Sequence, residues 1–325
     1  MDTVLLSHPL YKDGMEVLKG KVNVNITNEG DSDIILPQLQ QADGFILRIG
    51  KIDRKAIEAC PNLKVIARPG VGVDSVDIDA ATENGIPVVV APRANSRSVA
   101  EHALALMLSI SKNLLESDTE TRKGNFSIRE KYATTELAGL TVGVVGFGNI
   151  AQFFAGYCAA LGMQVLVFDP YVSEEVISGA GYRNAADLEE LFQNSDVISL
   201  HVPSTPTTKN MINAVSLGMM KPNALLVNTA RGDLIDEAAL YDALSTNRIK
   251  AAGLDVLHAE PMPSGHPLFS LPNLLVSPHL AAQTPQATAK AVVMAAEGTL
   301  AILRGERWKN VFNPSVYDHP KWQGT

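Results

Sequence analysis

A glycine pattern in the middle of the chain constrains the fold most. Residues 141–151 read TVGVVGFGNIA, a β-branched run that leads into G-x-G-x-x-A, and an amphipathic stretch and a second β-branched run follow. In a dinucleotide-binding βαβ unit, Gly146 permits the tight turn, Gly148 allows a pyrophosphate to approach the backbone, and Ala151 keeps the helix close to the sheet. The spacing therefore predicts a strand, a phosphate-binding turn and a helix that bind a dinucleotide.

The residues around this turn indicate which dinucleotide is bound. The helix that begins near Asn149 directs its free N–H groups and its positive dipole end toward the phosphates. Asp169 ends the second strand about 20 residues beyond the glycines, where a carboxylate accepts hydrogen bonds from both adenosine ribose hydroxyls. A 2′-phosphate would be repelled there, and Pro170 and Tyr171 supply no arginine to receive one. The pattern predicts NAD as the cofactor.

The rest of the chain alternates β-branched runs with amphipathic stretches, which predicts parallel sheets with crossover helices. A length of 325 residues favours two domains. Asp53 and Asp74 are candidate helix N-caps, and Gly85 is a candidate helix stop. We predict strands at 3–7, 22–26, 45–47, 64–67, 88–90, 141–145, 164–168, 197–201, 224–228, 251–256 and 274–277, and helices at 11–18, 33–41, 53–60, 74–84, 99–115 and 285–303, followed by a tail that returns to the first domain.

Composition and charge exclude several classes of protein. The net charge of −8 argues against nucleic acid or anionic lipid as a partner, because both require a basic face. The N-terminus lacks a basic segment and a signal-peptide core, and no stretch is long and apolar enough to span a bilayer. Cys60 and Cys158 lack metal-ligand spacing and are expected to be buried thiols in a reducing compartment. We expect a cytoplasmic protein with no metal site.

Three polar motifs follow the last predicted strands, where open α/β sheets bind their ligands. They contain Arg231, Glu260 and His279. Reduction of a ketone requires a cation that polarises the carbonyl and an acid that protonates the oxygen, and Arg231 and His279 supply these groups. Glu260 would orient the imidazole, and Arg231 can bind a carboxylate through two hydrogen bonds. The set predicts a dehydrogenase that acts on acids, with His279 as its acid and base.

Taken together, the motifs resemble the D-isomer-specific 2-hydroxyacid dehydrogenase family, which includes phosphoglycerate, D-lactate and hydroxypyruvate or glyoxylate enzymes. The matching segments cover nearly the whole chain: 68–74 (RPGVGVD), 76–77, 95–102 (NSRSVAEH), 146–150 (GFGNI), 228–233 (NTARGD), 260–261 and 278–279. The resemblance implies hydride transfer between NAD and C2 of a 2-hydroxy or 2-oxo carboxylate, with reduction as the favoured direction. Arg231, Glu260 and His279 would be the catalytic trio.

The resemblance also implies an architecture of two doubly wound parallel-sheet domains. Residues 1–97 and 286–325 would form a discontinuous flavodoxin-like substrate domain, and residues 98–285 an inserted Rossmann NAD-binding domain. Family members commonly dimerise through the cofactor domain, which would give the 99–115 helix an interface role in a homodimer. The implied substrate contacts are Val71, Gly72, Val73, Arg48 and Arg231, and the implied cofactor contacts are Gly146, Gly148, Asn149, Ile150, Asp169, His201, Val202, Pro203, Thr229, Ala230 and Asp255.

Several alternatives stay open. Arg48 resembles an arginine that contacts phosphorylated or longer acids, so a 3-phosphoglycerate dehydrogenase is a second candidate, although Arg48 could equally be a surface residue. Arg97 and His102 could face the cleft, and Arg68 could brace the loop that follows it. Glu260 argues against formate as substrate, since formate dehydrogenases carry glutamine there. An NADH-sensing corepressor is a candidate from another class, but it would require long partner-binding tails, and the C-terminus at Thr325 leaves no room for an added regulatory domain.

Overall fold

The computed structural model describes residues 1–131 and 134–323. Residues 132–133 and 324–325, which the predicted domain ranges include, lie outside the described residues. The chain forms two compact units, the first from Met1–Asn95 with Gln283–Thr325 and the second from Ser96–Ala282. No helix in the described ranges has the length and apolarity that crossing a membrane requires.

The first unit contains a parallel five-stranded sheet in the order β2-β1-β3-β4-β5. This is the flavodoxin-like order of a doubly wound sheet, which confirms the predicted fold class for this unit. β3 and β4 are buried along their whole length, and β2 is the exposed edge. The strands are β1 (Thr3–Leu6), β2 (Asn23–Ile26), β3 (Gly44–Ile46), β4 (Val65–Ala67) and β5 (Val88–Val89).

The second unit contains a parallel seven-stranded sheet in the order β12-β11-β10-β9-β6-β7-β8. The strand order reverses between β6 and β9, and the crevice outside the carboxyl ends of such strands is where doubly wound sheets bind dinucleotides. The strands are β6 (Thr141–Val145), β7 (Gln164–Phe168), β8 (Arg183–Asn184), β9 (Val197–Leu200), β10 (Leu225–Asn228), β11 (Ala251–Leu254) and β12 (Leu274–Val276).

Helices cover the faces of both sheets. They are α1 (Lys12–Leu18), α2 (Ser32–Leu39), α3 (Arg54–Glu58), α4 (Ile78–Glu83), α5 (Ser96–Ser111), α6 (Leu114–Arg122), α7 (Asn149–Ala160), α8 (Glu174–Gly179), α9 (Leu188–Asn194), α10 (Ala214–Met219), α11 (Glu237–Ser245) and α12 (Pro285–Leu303). Short 3₁₀ helices span Phe126–Lys131, Gly232–Leu234, Pro267–Ser270, Pro314–Asp318 and Pro320–Trp322.

The C-terminal segment completes the first unit, as the sequence predicted. α12 buries Val292 and Ala296 against Val4 and Leu6 of the sheet. Trp322 is 6% exposed, and its indole N–H donates to the Gly85 carbonyl at 3.0 Å. Burial of a large apolar side chain contributes roughly 2–3 kcal/mol, so this contact anchors the tail to the unit that the N-terminus begins.

Helix boundaries were predicted with mixed success. Asp53 caps α3 by accepting from the Ala56 N–H at 3.0 Å, and Gly85 follows α4 at a φ of +68°, so both predictions are confirmed. The prediction that Asp74 is a helix N-cap was wrong. α4 begins at Ile78 and is capped by Asp77, which accepts from the Ala80 N–H at 2.8 Å. Asp74 and Ser75 lie in a turn before this helix, and Val76 pairs with Ile52 in an isolated bridge.

The long helix predicted at 99–115 is also displaced. α5 begins earlier, at Ser96, and ends at Ser111, and the charged stretch beyond it forms a separate helix, α6. Asn113 separates the two helices because it adopts a left-handed φ of +49°, which interrupts the helical hydrogen bonds.

Candidate active site

The glycine turn lies between β6 and α7, in the second unit. Gly146 has a φ of +90°, and a Cβ there would lie 2.8 Å from the His201 carbonyl oxygen, so both the backbone conformation and the space require glycine. Gly148 is the N-cap residue of α7, and a Cβ there would meet no atom within 4 Å. No side chain caps this helix, so the amides of its first turn, at Asn149 and Ile150, are available to a phosphate.

Asp169 follows β7 and is held by the turn itself. One carboxylate oxygen accepts from the Phe147 N–H at 2.7 Å, and the other accepts from the Tyr171 N–H at 2.8 Å. Each carboxylate oxygen can accept more than one hydrogen bond. The side chain is therefore fixed beside the glycine turn and keeps acceptor capacity for the hydroxyls of a ribose.

His201 closes the other side of the turn. Its backbone N–H donates to the Val145 carbonyl at 2.8 Å, and its ring lies against Phe154 of α7, with centroids 5.1 Å apart. Burial lowers the pKa of His201 to about 3, so the ring is neutral, and its Nε2 lies 2.9 Å from the Ser199 hydroxyl. His201 thus joins β6, β9 and α7 at the turn, and Val202 and Pro203 continue from it.

The segment after β10 carries Thr229, Ala230 and Arg231. Asn228 shapes it, since its side chain accepts from the Ala230 N–H at 2.9 Å and donates to the Arg231 carbonyl at 2.7 Å. The Thr229 hydroxyl is buried and has no hydrogen-bond partner among the described residues. A buried hydroxyl without a partner is costly, and a polar cofactor group would satisfy it. Together with the open side of Gly148, this residue fits a bound dinucleotide.

His279 and Glu260 form a hydrogen-bonded pair. Nδ1 of His279 lies 2.7 Å from one Glu260 carboxylate oxygen, and the other oxygen accepts from the Leu257 N–H at 3.0 Å. The two side chains are 52% and 38% exposed, so the pair is open to a ligand. Because Nδ1 faces the carboxylate, Nε2 is the nitrogen that can exchange a proton with a substrate.

Asp255 holds the loop that carries His279. Its carboxylate accepts from the Ser277 hydroxyl at 2.6 Å and from the backbone N–H groups of Leu280 and Ala281 at 3.0 and 2.9 Å. Burial alone would raise the pKa of Asp255, but the nearby His102 ring and hydrogen bonds from Ser277, Ala281 and Leu280 outweigh it and lower the pKa. Asp255 is therefore ionised and acts as an anchor for the loop in this structure.

Arg231 lies close to the segment that carries Glu260. A guanidinium N–H donates to the Ala230 carbonyl at 2.7 Å. At the next residue, Gly232, a Cβ would overlap the carbonyl group of Leu257 and lie 2.5 Å from the His258 nitrogen. Glycine at this position allows the backbones that carry Arg231 and Glu260 to touch.

In the first unit, Arg68 braces the loop that was expected to bind a carboxylate. Its guanidinium donates to the carbonyls of Leu47 and Arg48 at 2.8 and 3.1 Å and to that of Gly72 at 3.3 Å. Burial lowers the pKa of Arg68. Val71 is 45% exposed beside this brace, and the Arg48 guanidinium donates to the Pro9 carbonyl at 3.1 Å.

Sequence reasoning did not find every residue that shapes these sites. His102 contacts Ser277 from α5, and Gly232 permits a close backbone approach; both lie in matching motifs, but the motifs do not indicate these contacts. Asn228 begins the matching segment 228–233, but no role for its side chain was predicted. Within residues 1–131 and 134–323, no cluster of three His, Cys, Asp or Glu side chains could hold a metal ion.

The fold and these contacts define a dinucleotide-binding α/β protein with a histidine–carboxylate pair at the strand ends. Residues 104–281 match the family model for the NAD binding domain of D-isomer specific 2-hydroxyacid dehydrogenases. The chain belongs to the D-isomer specific 2-hydroxyacid dehydrogenase family, as its motifs predicted.

Individual relatives carry different names within this family. The chain is 40% identical to a D-3-phosphoglycerate dehydrogenase of Methanocaldococcus jannaschii over 96% of its own length and 60% of that protein. It is 37% identical to a hydroxypyruvate reductase of Thermotoga maritima over 87% of its length and 92% of that protein. A crystal structure of D-lactate dehydrogenase from Aquifex aeolicus with NAD and lactic acid has 30% identity and a TM-score of 0.86, covering 96% of this chain and 99% of that one. The chain thus spans about 60% of the length of the phosphoglycerate dehydrogenases that it matches.

Proposed function

We propose that this chain is an NAD-dependent D-2-hydroxyacid dehydrogenase that reduces 2-oxoacids, with His279 as the acid and base. The observation that carries the proposal is the 2.7 Å contact between His279 Nδ1 and Glu260, in the same unit as the glycine turn. Family membership supports the same class of reaction.

Each polar residue has a part in the proposed reaction. The protonated His279 donates from Nε2 to the C2 oxygen of the oxoacid, and Glu260 stabilises the charged imidazole before the transfer and orients it afterwards. Arg231 polarises the carbonyl and binds the carboxylate. When bound, the nicotinamide supplies the hydride. In the opposite direction the neutral His279 removes the hydroxyl proton.

The proposal is tested by following NADH consumption with a panel of 2-oxoacids: pyruvate, glyoxylate, hydroxypyruvate, 2-oxobutyrate, branched 2-oxoacids and 3-phosphohydroxypyruvate. At least one should be reduced, and the product should be the D-isomer. The absence of turnover across the panel, in protein that binds NADH, would remove the enzymatic proposal.

Asp169 should determine the preference for NAD over NADP. We expect Asp169→Ser to raise the KM for NADH by about 10-fold or more, since hydrogen bonds to a charged group contribute about 1.5–3 kcal/mol. The KM for NADPH should fall, because the repulsion of the 2′-phosphate is removed. Glu174→Ser, an equal change of charge at an exposed position in the first turn of α8, is the matched control. Equal changes for both dinucleotides, or the same shift in the control, would argue against this role.

A 3-phosphoglycerate dehydrogenase is the second candidate. It is favoured by the 40% identity to proteins of that name and by Arg48, which lies two residues after β3. If the phosphate binds Arg48, Arg48→Ala should raise the KM for 3-phosphohydroxypyruvate by about 10-fold or more and leave the KM for pyruvate unchanged. The reason is that 3-phosphohydroxypyruvate carries a phosphate besides its carboxylate, whereas pyruvate has only the carboxylate. Lys51→Ala, a neighbouring exposed cation, is the control. Equal effects of Arg48→Ala on both substrates would count against a phosphate contact.

We also propose that the protein is a cytoplasmic homodimer that associates through the second unit. Three exposed apolar side chains of this unit, Leu114, Leu115 and Phe126, support an interface there. Sedimentation equilibrium tests the dimer, which has twice the 34.8 kDa mass of the chain; a single species at the monomer mass would reject it.

A further inference from the structure

A histidine outside the proposed catalytic trio reaches the loop of His279 from a distant element. His102 lies in α5, and its Nε2 is 2.8 Å from the Ser277 hydroxyl and 3.4 Å from the Asp255 carboxylate. The Ser277 hydroxyl lies 2.6 Å from the same Asp255 oxygen. His102 and Ser277 are 175 residues apart in sequence, so the contact joins α5 to the ends of β11 and β12.

The charge of Asp255 determines which groups donate and which accept hydrogen bonds in this cluster. Its lowered pKa leaves the carboxylate ionised, and an ionised carboxylate can only accept hydrogen bonds. Ser277 must then donate its single proton to Asp255. The Ser277 oxygen therefore accepts from His102, which places a proton on Nε2 of His102. The three groups form a directed chain, from His102 to Ser277 to Asp255, in which each hydrogen bond polarises the next.

Ser277 and Asp255, the last two members of this hydrogen-bond chain, also hold the backbone of His279. The His279 N–H donates to the carbonyls of Asp255 and Ser277 at 2.8 and 3.1 Å, and the next two residues donate to the Asp255 carboxylate. His279 itself has a φ of +51°, in the left-handed region that residues with a Cβ rarely adopt. Such a conformation persists only where the surroundings impose it, and Ser277 and Asp255 are those surroundings.

We propose that His102 is a positioning residue for the acid–base histidine. By holding the Ser277 hydroxyl toward Asp255, it fixes the loop that presents His279 to Glu260. This inference rests on the proposed function, in which His279 transfers the proton. His102 touches none of the reacting groups in that scheme and acts through Ser277 and Asp255.

The hydrogen bonds of this cluster allow an effect of His102 on the position of His279 to be distinguished from an effect on folding stability. When His102 is removed, Asp255 keeps its three hydrogen-bond donors, Ser277, Leu280 and Ala281, so no buried charge is left without a partner. The loss is the donor that fixes the direction of the Ser277 hydroxyl. We therefore expect a larger effect on the reaction than on folding.

The test compares His102→Leu with His102→Gln, whose amide N–H can replace the Nε2 donor. The variants are assayed with a 2-oxoacid that the wild-type protein reduces. His102→Leu should lower kcat by about 10- to 100-fold, the range expected for a small displacement of a catalytic group. The dissociation constant of NADH should stay unchanged, and His102→Gln should restore most of kcat. Leu108→Ala, which removes apolar packing from the same helix, should lower the melting temperature without lowering kcat.

A double-mutant cycle and a spectroscopic measurement complete the test. Because His102 acts through Ser277, His102→Leu should cause little further loss of kcat in a Ser277→Ala background. NMR of ¹⁵N-histidine-labelled protein should show the His279 proton on Nδ1 in the wild type and a smaller Nδ1–H fraction in His102→Leu. Unchanged kcat and tautomer in folded His102→Leu, equal losses in the Leu and Gln variants, or additive losses in the cycle would each overturn the inference. Failure of the proposed function is a different result: wild-type protein without turnover, whatever the tautomer of His279.

Discussion

Replacement of His279 with asparagine should lower kcat for 2-oxoacid reduction by roughly 10³-fold, within the range that general acid–base catalysis contributes. Asparagine can keep a hydrogen bond to Glu260 but cannot transfer a proton to the C2 oxygen. Binding of NADH should be retained, because the glycine turn, Asp169 and Thr229 are formed by other segments. The measurement is steady-state kinetics with the best oxoacid of the panel, together with a fluorescence titration of NADH.

The matched control is His258→Asn. His258 is exposed and lies two residues before Glu260. The control therefore makes the same His-to-Asn change near the proposed site and leaves His279 in place. Its kcat should stay close to that of the wild type. If His279→Asn retained a comparable kcat, the acid–base assignment would be wrong, and another group would have to protonate the substrate.

The cofactor side of the fold could be predicted well because its signals are local. β6 and β7 have the predicted bounds, since β-branched runs are delimited by Gly146 and by Asp169 in the sequence itself. The backbone at position 146 has a positive φ, which favours glycine, so the glycine in the sequence indicates this conformation directly. The pairing of Glu260 with His279 was also expected, because both residues follow neighbouring strands of a parallel sheet.

The remaining features depend on tertiary contacts that no local pattern reports. Asp74 and Asp77 are equally good N-caps by residue type, and only the bridge between Ile52 and Val76 determines that the helix starts after the second. β8 was missed because a strand of two residues, Arg183 and Asn184, has no apolar period to detect. The brace from Arg68 to Gly72 was considered in the sequence, but its acceptors at Leu47 and Arg48 become neighbours only when β3 and β4 pair.

His102 shows the same limit for function. The sequence marks it as a residue that could face the cleft, but its partners, Ser277 and Asp255, follow strands near the end of the second unit. The register of the sheet and the packing of α5 bring these groups together. The proposed catalytic trio can therefore be predicted from motifs, whereas the residue proposed to position it is found only through tertiary contacts.

Gly232→Ala should have the second large effect, because it separates two parts of the proposed site at once. The added Cβ would overlap the Leu257 carbonyl group and lie 2.5 Å from the His258 nitrogen, and neither backbone atom can move by a change of rotamer. The segment with Glu260 must then shift away from Arg231. We expect the free energy of unfolding to fall by about 3 kcal/mol, as overpacking of a close contact does, and kcat/KM to fall by about 10²-fold through displacement of Glu260 from His279.

Urea unfolding and steady-state kinetics measure the two effects of Gly232→Ala separately. Gly218→Ala is the control, since a Cβ at that position in α10 meets no atom within 4 Å and alanine favours a helix; its stability should be equal or higher and its kinetics unchanged. A Gly232→Ala protein with wild-type stability and kcat/KM would show that the Arg231 and Glu260 segments do not need this close approach. A loss of stability without a loss of kcat/KM would show that the approach serves folding alone, because Glu260 would still orient His279 after its segment had moved.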